Sequence, residues 1–234
     1  MARAHSRLGK ILDMLEKRYG KPKAPSPTDP YEMLLYTLCG YPASEAACDK
    51  AFPVLKRDVG LDPDSILAAP EAKLAQIMRL GGIVPEVRAQ RLKEVAGMVK
   101  HVYGGNLRAV MKKPLPEVRK ILKQFPTIGD PGADKILLFS KTVPIAAVPS
   151  NCVHVPTRLG FGEERKNYAA SYKSAQEALR AELPAERAPL LRAYLLLKRH
   201  GQETCKANRP RCEECVVSND CAYYRRMTCG AAQS

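Results

Sequence analysis

Apolar residues recur along this chain at the spacing of helices rather than strands. From Arg7 to Tyr19, Leu8, Ile11, Leu12 and Leu15 fall on one face of a 3.6-residue period. Asp29 followed by Pro30 reads as a cap with proline at the first helical position, opening a helix over Tyr31 to Cys39. The pattern continues with a helix from Ser44 carrying Ala47, Ala51, Phe52 and Leu55. Shorter helices follow near Asp64–Ala69 and Glu71–Leu80, then a longer one over Pro85–Tyr103. Helices are further predicted over Asn106–Met111, Pro116–Gln124, Ser150–Leu159, Tyr168–Leu183 and Glu186–His200. No convincing period-2 alternation is found; Thr142–Val148 is a short apolar run that could be extended. The predicted class is all-α.

Charge narrows the partners. Thirty-eight Lys and Arg against 24 Asp and Glu leave a formal charge of +14. Such an excess favours polyanions, because each phosphate neutralised releases condensed counterions. No segment approaches the roughly 18 apolar residues that span a bilayer, and the N-terminus has no signal-peptide apolar block. The reading is therefore a cytoplasmic protein with no membrane partner, where thiols stay reduced.

Eight cysteines then need an explanation other than disulfides. Cys205, Cys212, Cys215 and Cys221 are spaced C-x6-C-x2-C-x5-C. Four thiolates on a short irregular loop can supply one ligand to each iron of a [4Fe–4S] cube, and they also suit tetrahedral zinc, so spacing alone leaves both open. Cys39, Cys48 and Cys152 lie in apolar helical contexts and read as packed core thiols.

A second motif lies at residues 116–140, where two amphipathic stretches flank a turn containing Phe125, Pro126, Thr127, Ile128 and Gly129. A turn that opens a helix presents unpaired N–H groups and the positive end of the helix dipole, so an anion can bind there. A ligand-free αα-hairpin satisfies the same pattern.

The cysteine spacing, with Lys198, Arg199, His200 and Gly201 before it and Pro210 and Arg211 within it, resembles that of the endonuclease III and MutY DNA glycosylases. The hairpin is similar to the helix-hairpin-helix of the same superfamily, with Thr127 where the first glycine is usual. The resemblance covers most of the chain and implies a two-domain fold. A six-helix barrel domain would occupy 25–143, with the hairpin at about 116–140. A cluster domain would be built from 1–24 and 144–225, leaving 226–234 as a tail. DNA would cross the cleft between the domains. The resemblance favours [4Fe–4S] over zinc and makes the cysteine loop, through Lys206, Arg209 and Arg211, a contact to the DNA backbone. In the hairpin, Thr127, Ile128, Gly129 and Gly132 are expected at a phosphate. Tyr41 falls near the family's wedge into the vacated base-pair space. Gly81, Gly82, Ile83 and Val84 resemble its second intercalating loop, with Ile83 or Val84 as the wedge.

The same resemblance places a catalytic lysine after the hairpin and an aspartate before a later helix, and these positions are Pro131 and Pro149. Proline can neither form a Schiff base nor support a cationic sugar. Candidate substitutes are Asp130, Asp134 and Lys135 near the hairpin, and Ser150, Asn151 and His154 near the later helix. Structural roles compete for each: Asp130 and Ser150 suit helix caps, and Lys135 suits a solvated helix face. The expected function is a double-stranded-DNA-binding, base-excision-repair glycosylase with an atypical active site, acting as a monomer near the nucleoid. A non-catalytic damage binder and an AP-site lyase are the alternatives. Pro156 would fall inside the predicted Ser150–Leu159 helix, costing about 3 kcal/mol unless the helix bends or restarts.

Overall fold

The computed structural model describes residues 6–40 and 45–231. In chain order the helices are α1 (Arg7–Tyr19), α2 (Pro30–Cys39), α3 (Glu45–Asp58), α4 (Pro63–Ala68), α5 (Glu71–Arg79) and α6 (Pro85–Tyr103). After these come α7 (Leu115–Leu122), α8 (Asp130–Phe139), α9 (His154–Leu159), α10 (Tyr168–Glu182), α11 (Arg187–Glu203) and α12 (Ala222–Ala231). Every regular element among the described residues is helical, as the periodicity predicts. No helix among them is long and apolar enough to cross a membrane. The chain divides into two compact units, one of Pro25–Thr142 and one of both ends, Met1–Ala24 with Val143–Ser234.

The central unit holds α2 to α8. Asp29 opens α2 by accepting from the Tyr31 and Glu32 N–H groups, and Asp62 opens α4 by accepting from that of Ser65. Helix α6 lies against α2, α4 and α5 through Ala89, Leu92, Val95 and Val99, all fully buried. Helices α2 and α8 are apolar on nearly every side, the mark of a helix enclosed by neighbours rather than lying on the surface. Where a helix over Asn106–Met111 is expected, the chain instead makes an irregular turn with a 3-10 segment at Val110–Lys112. The Asn106 side-chain Oδ1 accepts from the Arg108 N–H at 3.1 Å, an Asx turn that competes with helix bonding, and Pro114 bars continuation.

The unit of both chain ends holds α1 and α9 to α12. Ser6 caps α1, whose buried face of Leu8, Ile11, Leu12 and Leu15 lies against α10 and α11. Arg192 on α11 reaches Asp13 at 2.7 Å and also pairs with Glu16, both on α1. Arg7 grips the Leu159 and Asp220 carbonyls, tying the start of the chain to its end. Helix α9 begins at His154, four residues later than expected, because Pro149–Cys152 form a turn with Asn151 at a φ of 60°. Pro156 consequently sits in the first turn of α9, where the missing N–H has no intrahelical partner to lose. Helix α12 runs through much of the segment read as a tail.

Candidate nucleic-acid interface and cluster centre

The hairpin joins α7 to α8. Phe125 N–H bonds to Leu122 O and Ile128 N–H to Phe125 O, so the Ile128 donor, expected at a phosphate, is spent inside the turn. Thr127 takes a φ of 65°, the left-handed conformation that glycine holds without strain and that β-branched residues disfavour. Gly129 is the N-cap of α8, and a Cβ there would make only an ordinary contact, with Pro131 Cδ at 3.8 Å. Gly132 packs on Ile128, whose Cγ2 would stand 3.3 Å from an added Cβ. The N–H groups of Gly129, Asp130 and Gly132 precede the helix's own bonding ladder, whereas Pro131 supplies none. The turn thus offers an open, glycine-lined set of donors at the positive end of α8.

The hairpin's charged side chains are occupied. Asp130 is the first residue of α8 rather than its cap, and its carboxylate pairs with Lys123 at 2.9 Å. Asp134 is completely buried and takes Arg119 Nη2 at 2.8 Å, tying α7 to α8. Lys135 is buried, with its ammonium 3.7 Å from Glu45 and 5.6 and 5.8 Å from the ring centroids of Tyr36 and Phe139. Breaking a buried ion pair leaves a stranded charge, so Asp134→Ala is expected to cost about 3 kcal/mol of stability. Urea unfolding reads that loss, and the folded variant should keep its duplex affinity.

The loop between α5 and α6 exposes Ile83 by 61% and Val84 by 43%, as a wedge requires. Its anchor is Arg88, which the sequence reading missed. Arg88 is buried in α6 and donates to the carbonyls of Ile83 at 3.0 Å, Gly82 at 2.9 Å and Cys39 at 2.9 Å, and to that of Met78. An added Cβ on Gly81 would stand 1.6 Å from Cys39 O, so the loop lies directly against the end of α2. Tyr41, two residues beyond Cys39, lies outside the described residues.

In the other unit, Cys205, Cys212, Cys215 and Cys221 line one small hollow, together with Arg158, His200, Thr204 and Tyr223. Helix α11 ends at Glu203, and Cys205 N–H bonds back to His200 O. Arg211 N–H bonds to Thr204 O at 3.0 Å, closing the loop. Arg158 forks onto the Lys206 and Ala207 carbonyls at 2.7 and 2.8 Å and lies 3.7 Å from Cys205 Sγ. Burial pushes the Cys205 and Cys212 thiols up and Cys215 to about 11, with Arg158 pulling Cys205 and Cys212 partly back. Thiols so placed become thiolates when a cationic centre compensates them, which fits an iron-bearing group. Among the described residues no group of three or more His, Cys, Asp or Glu side chains is arranged to hold a metal ion. Lys206, Arg209 and Arg211 are exposed on this loop.

His154 Nε2 lies 2.8 Å from Cys205 O, and burial lowers its pKa. His154 therefore braces the cysteine loop. Tyr172 hydroxyl accepts from Val148 N–H at 3.4 Å, and Tyr168 hydroxyl from the Asn151 backbone, so two tyrosines on α10 hold the turn bearing Ser150 and Asn151. Asp130, Asp134 and Lys135 belong to one unit, and Ser150, Asn151 and His154 to the other.

No family model matches the sequence. The chain is 24% identical over 213 residues to an endonuclease III of Thermotoga maritima, covering 91% of this chain and 92% of that protein. It is 27% identical to a thymine/uracil-DNA glycosylase of Methanothermobacter thermautotrophicus, covering 70% and 69%. A solved non-covalent endonuclease III–DNA complex superposes with a TM-score of 0.70 at 21% identity, covering 94% of this chain and 95% of that one. Over most of its length the chain is thus similar to proteins named endonuclease III and shares their fold. It has the all-helical fold its motifs imply, with the hairpin in one unit and the four cysteines in the other.

Proposed function

We propose that this protein binds duplex DNA and works in base-excision repair as a glycosylase with an unconventional active site. One observation carries the reading: a glycine-opened helix start and a four-thiol hollow occur in one chain that spans nearly the whole length of its endonuclease III relative. Under this reading the N–H groups of Gly129, Asp130 and Gly132 hold a backbone phosphate, with Thr127 and Ile128 shaping the turn. Lys206, Arg209 and Arg211 neutralise further phosphates, each contact adding to the salt dependence. Ile83 and Tyr41 fill the space a flipped base leaves, a move that costs a few kcal/mol. Cys205, Cys212, Cys215 and Cys221 would hold a [4Fe–4S] cluster, one thiolate per iron. When bound it supplies no bond-making and fixes the shape of the basic loop.

Hydrolysis of the N-glycosidic bond places a hydroxyl on C1′ and a proton on the departing base. A carboxylate near the sugar would support the developing positive charge. With proline at 131 and 149, Asp130 is the accessible carboxylate at the start of α8, and Ser150 and Asn151 stand on the turn after Pro149. Asp134, Lys135 and His154 have bracing roles that account for them without chemistry. The same two prolines favour a second reading, a non-catalytic binder of damaged DNA; an AP lyase would have to draw on Lys135, which is buried, or on another lysine. The protein is expected to act as a monomer on chromosomal DNA.

The test incubates purified protein with duplexes holding damaged, deaminated and mismatched bases, and an AP site. Alkali-labile strand breaks are expected for at least one lesion, with no borohydride-trapped adduct. Intact duplex from every substrate despite tight binding would replace the glycosylase with the binder.

A further inference from the structure

Beside the cysteine loop lies a second feature that the reading above leaves unused. An open hollow of about 940 Å³ is lined by Arg158, Arg165, Lys166, Asn208, Asn151 and Tyr168 among others. One wall is the loop between α9 and α10. That loop is pinned flat on α10: Glu163 N–H donates to Ser174 Oγ at 2.9 Å and Arg165 N–H to Ser171 Oγ at 2.8 Å. Asn167 Oδ1 caps α10 by accepting from Ala170 N–H at 2.8 Å. Gly162 has a φ of 86°, and an added Cβ would lie 2.7 Å from the Ala175 backbone, so only glycine allows this approach. The opposite wall is the cysteine loop at Ala207 and Asn208, held by the Arg158 fork. Both walls are therefore preformed.

The charge of the hollow is one-sided. Arg158, Arg165 and Lys166 line it against the single carboxylate of Glu164. Arg165 pairs with Glu163 at 2.6 Å, but both side chains are more than half exposed, which keeps that pair weak and the guanidinium free to turn. Arg158 spends its donors on backbone carbonyls and also lies 3.7 Å from Cys205 Sγ, so Arg165 and Lys166 supply the charge the hollow offers to a ligand. Asparagine amides at 151 and 208 add neutral donors. Lys206 and Arg209 continue the positive face on the cysteine loop.

We infer that Arg165 and Lys166, with Asn208 facing them, form a further phosphate-binding site that extends the DNA contact from the cysteine loop onto the α9–α10 loop. The inference rests on the duplex-binding reading. Its ligand is a phosphodiester of the DNA backbone. The openness of the hollow suits a passing chain, while inorganic phosphate or a free nucleotide would share the same chemistry.

The test measures duplex affinity between about 50 and 200 mM salt for the full-length protein and for the double variant Arg165→Gln, Lys166→Gln. A double variant of equal charge loss on α3, Lys56→Gln with Arg57→Gln, reads the effect of net charge alone. Two lost phosphate contacts remove about 1.8 from the log–log salt slope, so the affinity ratio of wild type to variant should shrink roughly tenfold across that range. Backbone amide signals of residues 165–167 should shift with duplex, and the melting temperature should not change. An Arg165/Lys166 variant with the affinity and slope of the α3 control overturns the inference while leaving duplex binding standing. So does saturation by inorganic phosphate combined with unchanged duplex affinity, which would make the hollow a free-phosphate site. Absence of duplex binding by the wild type overturns the reading underneath.

Discussion

Replacing Cys212 or Cys215 by serine is expected to abolish the brown colour and violet absorption of the purified protein and to weaken duplex binding by about tenfold or more, from the loss of ordered phosphate contacts. Serine preserves size but presents an alcohol that stays protonated where a thiolate is required. The residues between Cys205 and Cys221 contain two short 3-10 or turn segments and no long helix, so few backbone bonds hold this loop by themselves. Val217 and Cys221 are its buried side chains; Lys206, Arg209 and Arg211 face water. A group bridging all four sulfurs would supply the order that packing does not. Cys39→Ser is the contrast: Cys39 is buried at the end of α2, belongs to the other unit, and should leave the colour intact. Colour that survives in the Cys212 and Cys215 variants would remove the cluster from the account.

Arg88→Met should rank with the most damaging single changes in the central unit. The guanidinium, 1% exposed, serves carbonyls from the ends of α2 and α5 and from the loop before α6. Methionine fills the space but strands those oxygens without donors, at a cost of about 3 kcal/mol or more. Arg88→Lys retains a charge but not the planar fork that reaches several carbonyls at once, and should recover only part of the loss. Urea unfolding measures the stability. Fluorescence of 2-aminopurine opposite a mismatch measures base opening, which should fall because Ile83 and Val84 lose their fixed position beside the end of α2. Full stability in Arg88→Met would show that the loop is held by other means. Gly81→Ala should act in the same direction, since its Cβ would overlap Cys39 O.

Helices whose limits depend on local chemistry were legible in the sequence. α1 and α6 begin and end where their caps and apolar spacing put them, with Ser6 capping one and Gly104 closing the other at a φ of 63°. The start of α9 was not legible, because the turn before it depends on tyrosines from α10 that lie about twenty residues on in sequence. The Asx turn at Asn106 was a readable signal that the apolar spacing of Leu107, Val110 and Met111 masked. The four cysteines stood out because their ligand set is local, within seventeen residues of chain. Arg88 did not, since its carbonyl partners at Leu38 and Cys39 are about fifty residues away, and its own sequence context is an ordinary helix start. Lys135 read as a solvated charge on a helix face and Asp134 as a candidate acid, yet the enclosure of α8 turned both into buried partners. Arg165 and Lys166 carried no motif in the sequence, because their loop is placed by serines of α10 that the local pattern does not announce.

The most direct test of the central claim is the salt dependence of duplex binding by the purified, coloured protein. The account predicts tight binding at low ionic strength that weakens steeply between about 50 and 200 mM salt, each phosphate contact adding about −0.9 to the log–log slope. Binding that is absent at low salt, or that is indifferent to salt across this range, would contradict it.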